Sequence, residues 1–147
     1  MTLKRAMTDD FKAYARQVLV NSKTLAAALM DRQASLVTGG TDNHMMVVDT
    51  VKSYGLDGKV AEETLDKVNI TTNKQIIPDD PNPPLRPSGI RIGTPAATAR
   101  GMNEAAMLQL AEWLDRCLRA PEDEKVLTDI REEVVSFCQE YPVPGIE

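Results

Sequence analysis

A proline-rich stretch constrains the fold of this chain more than any other feature of its sequence. Residues 76–88 read IIPDDPNPPLRPS and contain five prolines. Proline fixes its own φ angle, lacks a backbone donor and restricts the residue that precedes it. The stretch is therefore neither a helix nor a central strand, and we predict an extended loop over residues 76–88. Helices and strands have to be built from the sequence on either side of it.

Hydrophobic periodicity outside this loop predicts an α+β domain. Apolar residues recur at helical spacing in several segments, and short runs rich in β-branched residues between them predict strands. Because the connections are too short for many crossovers, we expect a small, mainly antiparallel sheet covered by helices, with a long N-terminal helix. The predicted elements are a helix over 9–32, strands within 35–40 and 44–51, a helix within 55–68, strands within 69–74 and 89–93, and helices over 107–118 and 127–138.

Local signals mark where several of these helices begin. Thr8 and Asp57 are candidate N-caps, because their side-chain oxygens suit the free N–H groups of a first turn. Thr94 is a third candidate, with Pro95 at the first helical position. Pro121 separates the last two helices, and the acidic residues after it favour a helix start.

Length and charge narrow the classes of function. Residues 1–147 suit one domain, and the hydrophobic (42%) and charged (27%) fractions are those of a globular chain. A net charge of −5 without a basic block argues against nucleic acid as a partner. The sequence predicts no membrane span, no secretory signal and no metal site. Cys117 and Cys138 lack a metal-binding spacing and are expected to be reduced, so we expect a cytoplasmic protein.

Arg91 is the residue that the strand pattern singles out. It stands between Ile90 and Ile92, so its side chain points to the opposite face of the strand. If that face meets solvent, Arg91 is only a surface charge. If the face lines a cleft, the planar guanidinium suits a carboxylate or phosphate through two parallel hydrogen bonds. Gly89 and Gly93 allow close backbone approach here, which is a weak signal by itself.

No complete catalytic set is visible in the residues alone. His44 is the only histidine, and a lone histidine before an apolar strand is more often structural than catalytic. Its neighbours Asp42 and Asn43 are equally explained by turn chemistry after Gly39 and Gly40. No phosphate loop, nucleophile elbow or dinucleotide fingerprint is present.

Three blocks of the sequence resemble one enzyme family. VTGGTDNHMMVVD, GLDGKVAEETLDKVNITTNK and SGIRIGTPAATARGM are similar, in order and spacing, to the C-terminal small domain of serine hydroxymethyltransferase. That family is a pyridoxal-phosphate enzyme of the aspartate-aminotransferase fold type. The resemblance runs from near Leu3 to YPVPG at 141–145, but covers only the last third of the family's length. It implies that residues 1–8 are a linker toward a large domain that this chain lacks.

The resemblance also implies roles for individual residues. Arg91 matches the arginine that binds the substrate α-carboxylate, and the loop 76–88 matches the segment lining the folate pocket. Gln75 and Lys74 would lie on the folate side, although Gln75 stands where the family usually has asparagine and Pro87 replaces a common threonine. Arg100 matches a family arginine for which a structural ion pair and a ligand contact are both open. The candidate supporting residues are His44, Asn73, Ser88 and Arg100.

The reaction implied is conversion of serine and tetrahydrofolate to glycine and 5,10-methylenetetrahydrofolate, with pyridoxal phosphate, by a full-length enzyme that forms homo-oligomers. The family's cofactor lysine lies in the large domain, and none of the eight lysines here has its sequence context. We therefore predict that the isolated chain holds no cofactor tightly and is inactive.

Two alternatives stay open. One is a free-standing, non-catalytic domain that docks to a full-length homologue through Phe11 and Tyr14. The other is a related aldol-type or α-methylserine enzyme.

Overall fold

The computed structural model describes residues 2–145, and within them the chain forms seven helices around four short strands. Met1, Ile146 and Glu147, which the single-domain prediction includes, lie outside the described residues. The helices are α1 (Thr2–Ala6), α2 (Asp9–Asp31), α3 (Thr50–Tyr54), α4 (Gly58–Lys67), α5 (Pro95–Ala99), α6 (Glu104–Arg119) and α7 (Glu124–Gln139). The strands are β1 (Ser35–Leu36), β2 (Met45–Asp49), β3 (Asn73–Gln75) and β4 (Gly89–Gly93).

The strands form one sheet in the order β1–β2–β4–β3, and every neighbouring pair is antiparallel. Helix α6 packs against both α2 and α4, and α4 also lies against β3 and β4. This arrangement confirms the predicted α+β class with a small antiparallel sheet and a long N-terminal helix. The proline-rich segment contains no helix or strand, as predicted, and connects β3 to β4.

Helix α2 begins where its sequence predicts. Thr8 accepts a hydrogen bond from the backbone N–H of Phe11 at 3.3 Å, which satisfies one free donor of the first turn. Val18, Leu25 and Leu29 are buried along one face, but Phe11 is 43% exposed. The predicted apolar face therefore enters the core only after the first turns of α2.

The segment predicted as a linker, residues 1–8, contains the short helix α1. The Thr8 hydroxyl donates to the carbonyl of Arg5 at 2.7 Å while its oxygen caps α2. One side chain therefore closes α1 and opens α2. The proposed role of residues 1–8 as a connection to another domain stays a prediction.

Three strand predictions were wrong in extent. The strand predicted within 69–74 is β3 over Asn73–Gln75, because the chain first closes α4: Asn69 takes a positive φ of 61° and the Ile70 N–H bonds the carbonyl of Leu65 at 3.0 Å. Strand β1 has only two residues, because the Gly39 N–H bonds the carbonyl of Leu36 in a turn and Gly39 takes a positive φ of 65°. Strand β2 ends at Asp49, although the prediction extended it to residue 51. The Asp49 carboxylate accepts the Lys52 N–H at 2.9 Å and starts helix α3, which was not predicted.

The Asp57 prediction was confirmed, whereas the Thr94 prediction was only half right. Asp57 accepts the N–H of Val60 at 2.9 Å and caps α4. Pro95 does begin α5, but the Thr94 side chain makes no capping bond. Its hydroxyl instead donates to the carbonyl of Val18 at 3.0 Å, because the packing of α2 against α5 brings that acceptor within reach.

Candidate functional site

The two faces of the sheet differ sharply. On β4, Ile90 and Ile92 are buried beneath the helices, together with Met46 and Val48 of β2. Because side chains alternate along a strand, Arg91 lies on the other side, which we call the open face. The open face of β4 and its neighbours carries Met45, Val47, Asn73, Gln75 and Arg91.

Arg91 is exposed at an interior position of the sheet. It lies directly between Val47 of β2 and Asn73 of β3. Its Nη2 is 3.5 Å from Asn73 Oδ1, a hydrogen bond at the limit of useful length. Among residues 3–145, no carboxylate forms a salt bridge with Arg91. The guanidinium is therefore free to bind a planar anion through two parallel hydrogen bonds.

Close backbone packing fixes the start of β4. A Cβ on Gly89 would lie 2.9 Å from Ile77 Cγ2 and from the carbonyl oxygen of Val48, which leaves no room for a side chain. A Cβ on Gly58 would overlap the carbonyl oxygen of Gly89. Gly93 is different, because a Cβ there would make only ordinary contacts at 3.6 Å. Of the two glycines beside Arg91, only Gly89 is required by packing.

Asp80 closes the proline-rich loop from within. Its Oδ1 accepts from the Ser88 hydroxyl at 2.6 Å and from Asn82 N–H at 3.0 Å, and its Oδ2 accepts from the N–H groups of Ser88 at 2.9 Å and Ile77 at 3.2 Å. Partial desolvation opposes ionisation, but these hydrogen bonds outweigh it and lower the pKa of Asp80 to about 2. The carboxylate is ionised at neutral pH and holds the loop in one shape.

Ser88, predicted as a supporting residue, has a structural role. It is 2% exposed, and its carbonyl accepts the N–H of Thr50 at 2.9 Å and the Thr50 hydroxyl at 3.0 Å. Ser88 therefore joins the loop to the first turn of α3, one residue before β4 begins.

Asn73, Gln75 and Lys74 do not share one surface. Asn73 and Gln75 face the same side as Arg91, whereas Lys74 points toward α4, where its Nζ lies 2.9 Å from Glu62 Oε2. The hydrogen bond and charge of Glu62 raise the pKa of Lys74. Gln75 Nε2 donates to the carbonyl of Ile76 at 3.1 Å. The predicted folate-side pair is therefore divided by strand alternation.

His44 and Arg100 lie outside this cluster. The His44 carbonyl accepts the Thr94 N–H at 3.0 Å. The side chain of His44 is exposed and borders a shallow hollow together with Tyr14 and Pro95. Arg100 donates to the carbonyls of Tyr141 at 2.7 Å and Cys138 at 3.1 Å. The ion pair considered for Arg100 is not what forms; the guanidinium caps the C-terminus of α7, where unpaired carbonyls are available.

Sequence reasoning missed the role of one acidic residue, Asp80, and the second role of another, Asp57. Asp80 was interpreted only as part of an irregular loop, and the second role of Asp57, a salt bridge to Arg86 Nη2 at 2.8 Å, was not foreseen. Hydrogen bonds from Val60 and Arg86 outweigh desolvation and lower the pKa of Asp57. An aspartate inside a proline-rich loop that ends in serine is a usable signal, but identifying its partners requires the folded chain.

A cleft of about 570 Å³ adjoins the open face. It is bounded by the loop 37–43, by Lys23 of α2 and by Met45 and Val47. The turn chemistry considered for this loop is present: Asn43 Oδ1 accepts the Met45 N–H at 2.9 Å. Within the part of the chain that the structure describes, no group of three potential ligands could hold a metal ion, and no helix is long and apolar enough to cross a membrane.

Together these features define a small α+β domain with an arginine at the centre of an uncovered sheet face. The family profile of serine hydroxymethyltransferase matches residues 1–114. The chain is 44% identical over 146 residues to serine hydroxymethyltransferase 2 of Mesorhizobium japonicum, covering 99% of this chain and 33% of that protein. It is 45% identical over 145 residues to the serine hydroxymethyltransferase of Acidobacterium capsulatum, and 45% over 143 residues to that of Sorangium cellulosum. These matches cover 99% and 97% of this chain and 34% of each relative.

The chain therefore belongs to the serine hydroxymethyltransferase family. It spans a third of the length of the relatives that it matches. The recognition made from the three sequence blocks is confirmed.

Proposed function

We propose that this chain is the small domain of a pyridoxal-phosphate-dependent serine hydroxymethyltransferase and that Arg91 binds the α-carboxylate of its amino acid substrate. The observation that carries the proposal is the free guanidinium of Arg91 at the centre of the open face, without a salt-bridge partner among residues 3–145. A carboxylate gripped by this fork would be held in one orientation.

A large domain is the proposed partner of the open face. Met45 and Val47, on strand β2 next to Arg91, are only half-buried. Covering them would remove apolar surface from water and exclude water from the bond between Arg91 and its ligand. In the full-length enzyme, which we propose forms a homo-oligomer, the substrate would lie between the two domains.

The lysines of this chain do not suit attachment of the cofactor. Pyridoxal phosphate, when bound, acts as an electron sink for bond cleavage at the amino acid α-carbon. Attachment requires a lysine that loses its proton readily, which burial provides. All eight lysines here are exposed, and Glu62 raises the pKa of Lys74. We therefore propose that the large domain supplies the lysine, and that the chain alone is inactive and binds no cofactor tightly.

The folate side is proposed to include Gln75 rather than Lys74. Gln75 is half-buried on the open face at the start of the proline-rich loop, so its amide can turn toward a bound pterin ring. Pro87, the other departure from the family pattern, is buried and its carbonyl accepts the N–H of Gly58. Pro87 therefore has a structural role in the loop. Gln75 is the departure that would change the specificity of the enzyme toward an aldol-type or α-methylserine reaction.

A second candidate function is supported by the first two helices. Leu3 of α1, Met7 of the turn between the helices and Phe11 of α2 are 83%, 77% and 43% exposed. Exposed apolar side chains close together in the chain suit packing against another helix or domain. A free-standing, non-catalytic domain would use them to dock to a full-length homologue. We also propose a cytoplasmic setting, to which the free thiols of Cys117 and Cys138 are suited.

The test joins this chain to the first two-thirds of the Acidobacterium capsulatum relative and measures serine-to-glycine conversion with tetrahydrofolate. We expect Arg91→Ala to lower kcat/KM for serine by about 100-fold or more, because a charged bidentate contact is lost. Arg131→Ala, an exposed arginine on α7, serves as the matched control and should leave kcat/KM unchanged. Equal activity of the two variants would refute the role of Arg91. An assembly that is inactive with the unmodified chain, although it binds the cofactor, would favour the docking function.

A further inference from the structure

The proline-rich loop is held by one carboxylate rather than by regular secondary structure. Asp80 accepts four hydrogen bonds from three residues, Ile77, Asn82 and Ser88. The loop begins with a tight turn in which the Asp80 N–H bonds the carbonyl of Ile77 and Asp79 has a positive φ of 53°. This turn aims the Asp80 side chain back across the loop to its far end, Ser88.

The far end of the loop leads directly into the candidate site. Ser88 is held at its N–H and hydroxyl by Asp80, and at its carbonyl by Thr50 of α3. Gly89 follows at once, fitted against Gly58 without room for a side chain. The backbone from Asp80 to Arg91 thus passes through two points at which it has little freedom to move.

We propose that Asp80 is a positioning residue, whose carboxylate fixes the proline-rich loop against the start of β4 and so sets the place of Gln75 and Arg91 relative to each other. Gln75 precedes the loop and Arg91 follows it, and both lie on the open face. The consequence for ligands rests on the proposed function, whereas the positioning itself does not.

This positioning requires a carboxylate, because four donor groups share its two oxygens and each oxygen accepts two hydrogen bonds. An amide in its place keeps one acceptor and turns the other position into a donor. With the amide nitrogen at the Oδ2 position, it faces the N–H groups of Ile77 and Ser88. With the nitrogen at the Oδ1 position, it faces the Asn82 N–H and displaces the present bond of the Ser88 hydroxyl. Neither orientation of the amide satisfies all four groups.

The first test is Asp80→Asn in the 147-residue chain, followed by amide hydrogen exchange and NMR. We expect the N–H groups of Ile77 and Ser88, or that of Asn82, to exchange about tenfold faster or more, since a bond to a charged acceptor is lost. The amide signals of Gln75 and Arg91 should shift as well. Asp79→Asn is the matched control: Asp79 is exposed in the same turn, and asparagine also tolerates its positive φ.

The outcomes separate positioning from general stabilisation. If Asp80→Asn lowers the melting temperature but leaves the exchange rates and the signals of Gln75 and Arg91 unchanged at 25 °C, the proposal is overturned. Equal effects of Asp80→Asn and Asp79→Asn would also overturn it. Because this experiment needs no substrate, it decides the positioning role whether or not the assembled enzyme is active.

The second test uses the assembled enzyme described for the proposed function. Asp80→Asn should raise the KM for tetrahydrofolate about fivefold or more while kcat changes less than about twofold, as expected when binding alone is weakened. An unchanged KM, measured in an active assembly, would refute the functional consequence of the loop's position. An assembly inactive with the unmodified chain would instead count against the proposed function.

Discussion

Gly58 offers the sharpest prediction about how the site is held in place. A Cβ on Gly58 would overlap the carbonyl oxygen of Gly89 and lie 3.0 Å from both the carbonyl carbon of Gly89 and the carbonyl oxygen of Pro87. These are backbone atoms at the point where the proline-rich loop enters β4. Unlike the end of a flexible side chain, they cannot rotate away, so Gly58→Ala has to displace the loop or the strand.

The size of the effect follows from two opposing contributions. Alanine at an ordinary helical position would stabilise the chain by about 0.4–1 kcal/mol, because it restricts the unfolded state. Overpacking against fixed atoms costs about 1–3 kcal/mol, and the upper end applies where the neighbours are backbone. The Gly58 N–H also donates to the Pro87 carbonyl at 2.6 Å, a bond that the displacement would stretch. We expect a net loss of about 2–3 kcal/mol.

The assay is urea unfolding of the 147-residue chain, followed by circular dichroism, together with thermal unfolding. A loss of this size should lower the melting temperature by roughly 6–9 °C for a domain of this length. Gly93→Ala is the matched control, because a Cβ there meets only ordinary contacts at 3.6 Å. It should change stability by less than about 0.5 kcal/mol or raise it slightly. If the two variants unfold at the same urea concentration, Gly58 has room for a side chain and the backbone contact does not restrain β4.

Three further predictions concern the core, a buried polar contact and acid. Leu114→Ala should destabilise the chain by about 2–5 kcal/mol in urea unfolding, because Leu114 is 0% exposed; a loss below 1 kcal/mol would contradict this. Asn21→Ala should cost about 1–3 kcal/mol, since it leaves the Thr98 hydroxyl and the Met102 carbonyl without their bonds at 2.9 and 2.8 Å; an unchanged urea midpoint would show that water replaces the amide. Because the pKa of Asp80 is lowered from 3.8 to about 2, its stabilisation is complete above about pH 4 and is lost as pH falls toward 2. Asp80→Asn should therefore lose less stability than the unmodified chain over that interval, and parallel pH profiles would exclude the carboxylate as the cause.

Much of the fold followed from local sequence because local interactions determine it. The N-caps Thr8 and Asp57 act on their own first turns, and the prolines of residues 76–88 exclude regular structure wherever the rest of the chain lies. The missed helix α3 belongs to the same category. The sequence signal for α3 is Asp49, whose carboxylate accepts the N–H of Lys52, three residues later. The apolar run before Asp49 nevertheless favoured a longer strand.

The sequence predicted the face of β4 on which Arg91 lies, but not the register in which neighbouring strands pair. Alternation along β4 places Arg91 opposite the two isoleucines, and this held. Whether Lys74 joins Arg91 depends on how β3 pairs with β4, which no local pattern specifies. The observed pairing sets Asn73 opposite Arg91 and sends Lys74 to Glu62. The capping role of Arg100 was hidden for a similar reason, because its acceptors are 38 and 41 residues away.

The contacts around Arg91 divide in a way that bears on its chemistry. The groups that fix the backbone near Arg91 are uncharged or already paired. Gly58 and Gly89 allow close backbone packing, and the Asp80 carboxylate accepts four hydrogen bonds within the loop. Within residues 3–145, the guanidinium itself makes one long hydrogen bond, to Asn73 at 3.5 Å. A carboxylate nearby would hold the side chain more firmly but would compete with an anionic ligand for the same donors. Positioning through the backbone avoids that competition, and it is consistent with a tightly anchored strand whose arginine forms no salt bridge among residues 3–145.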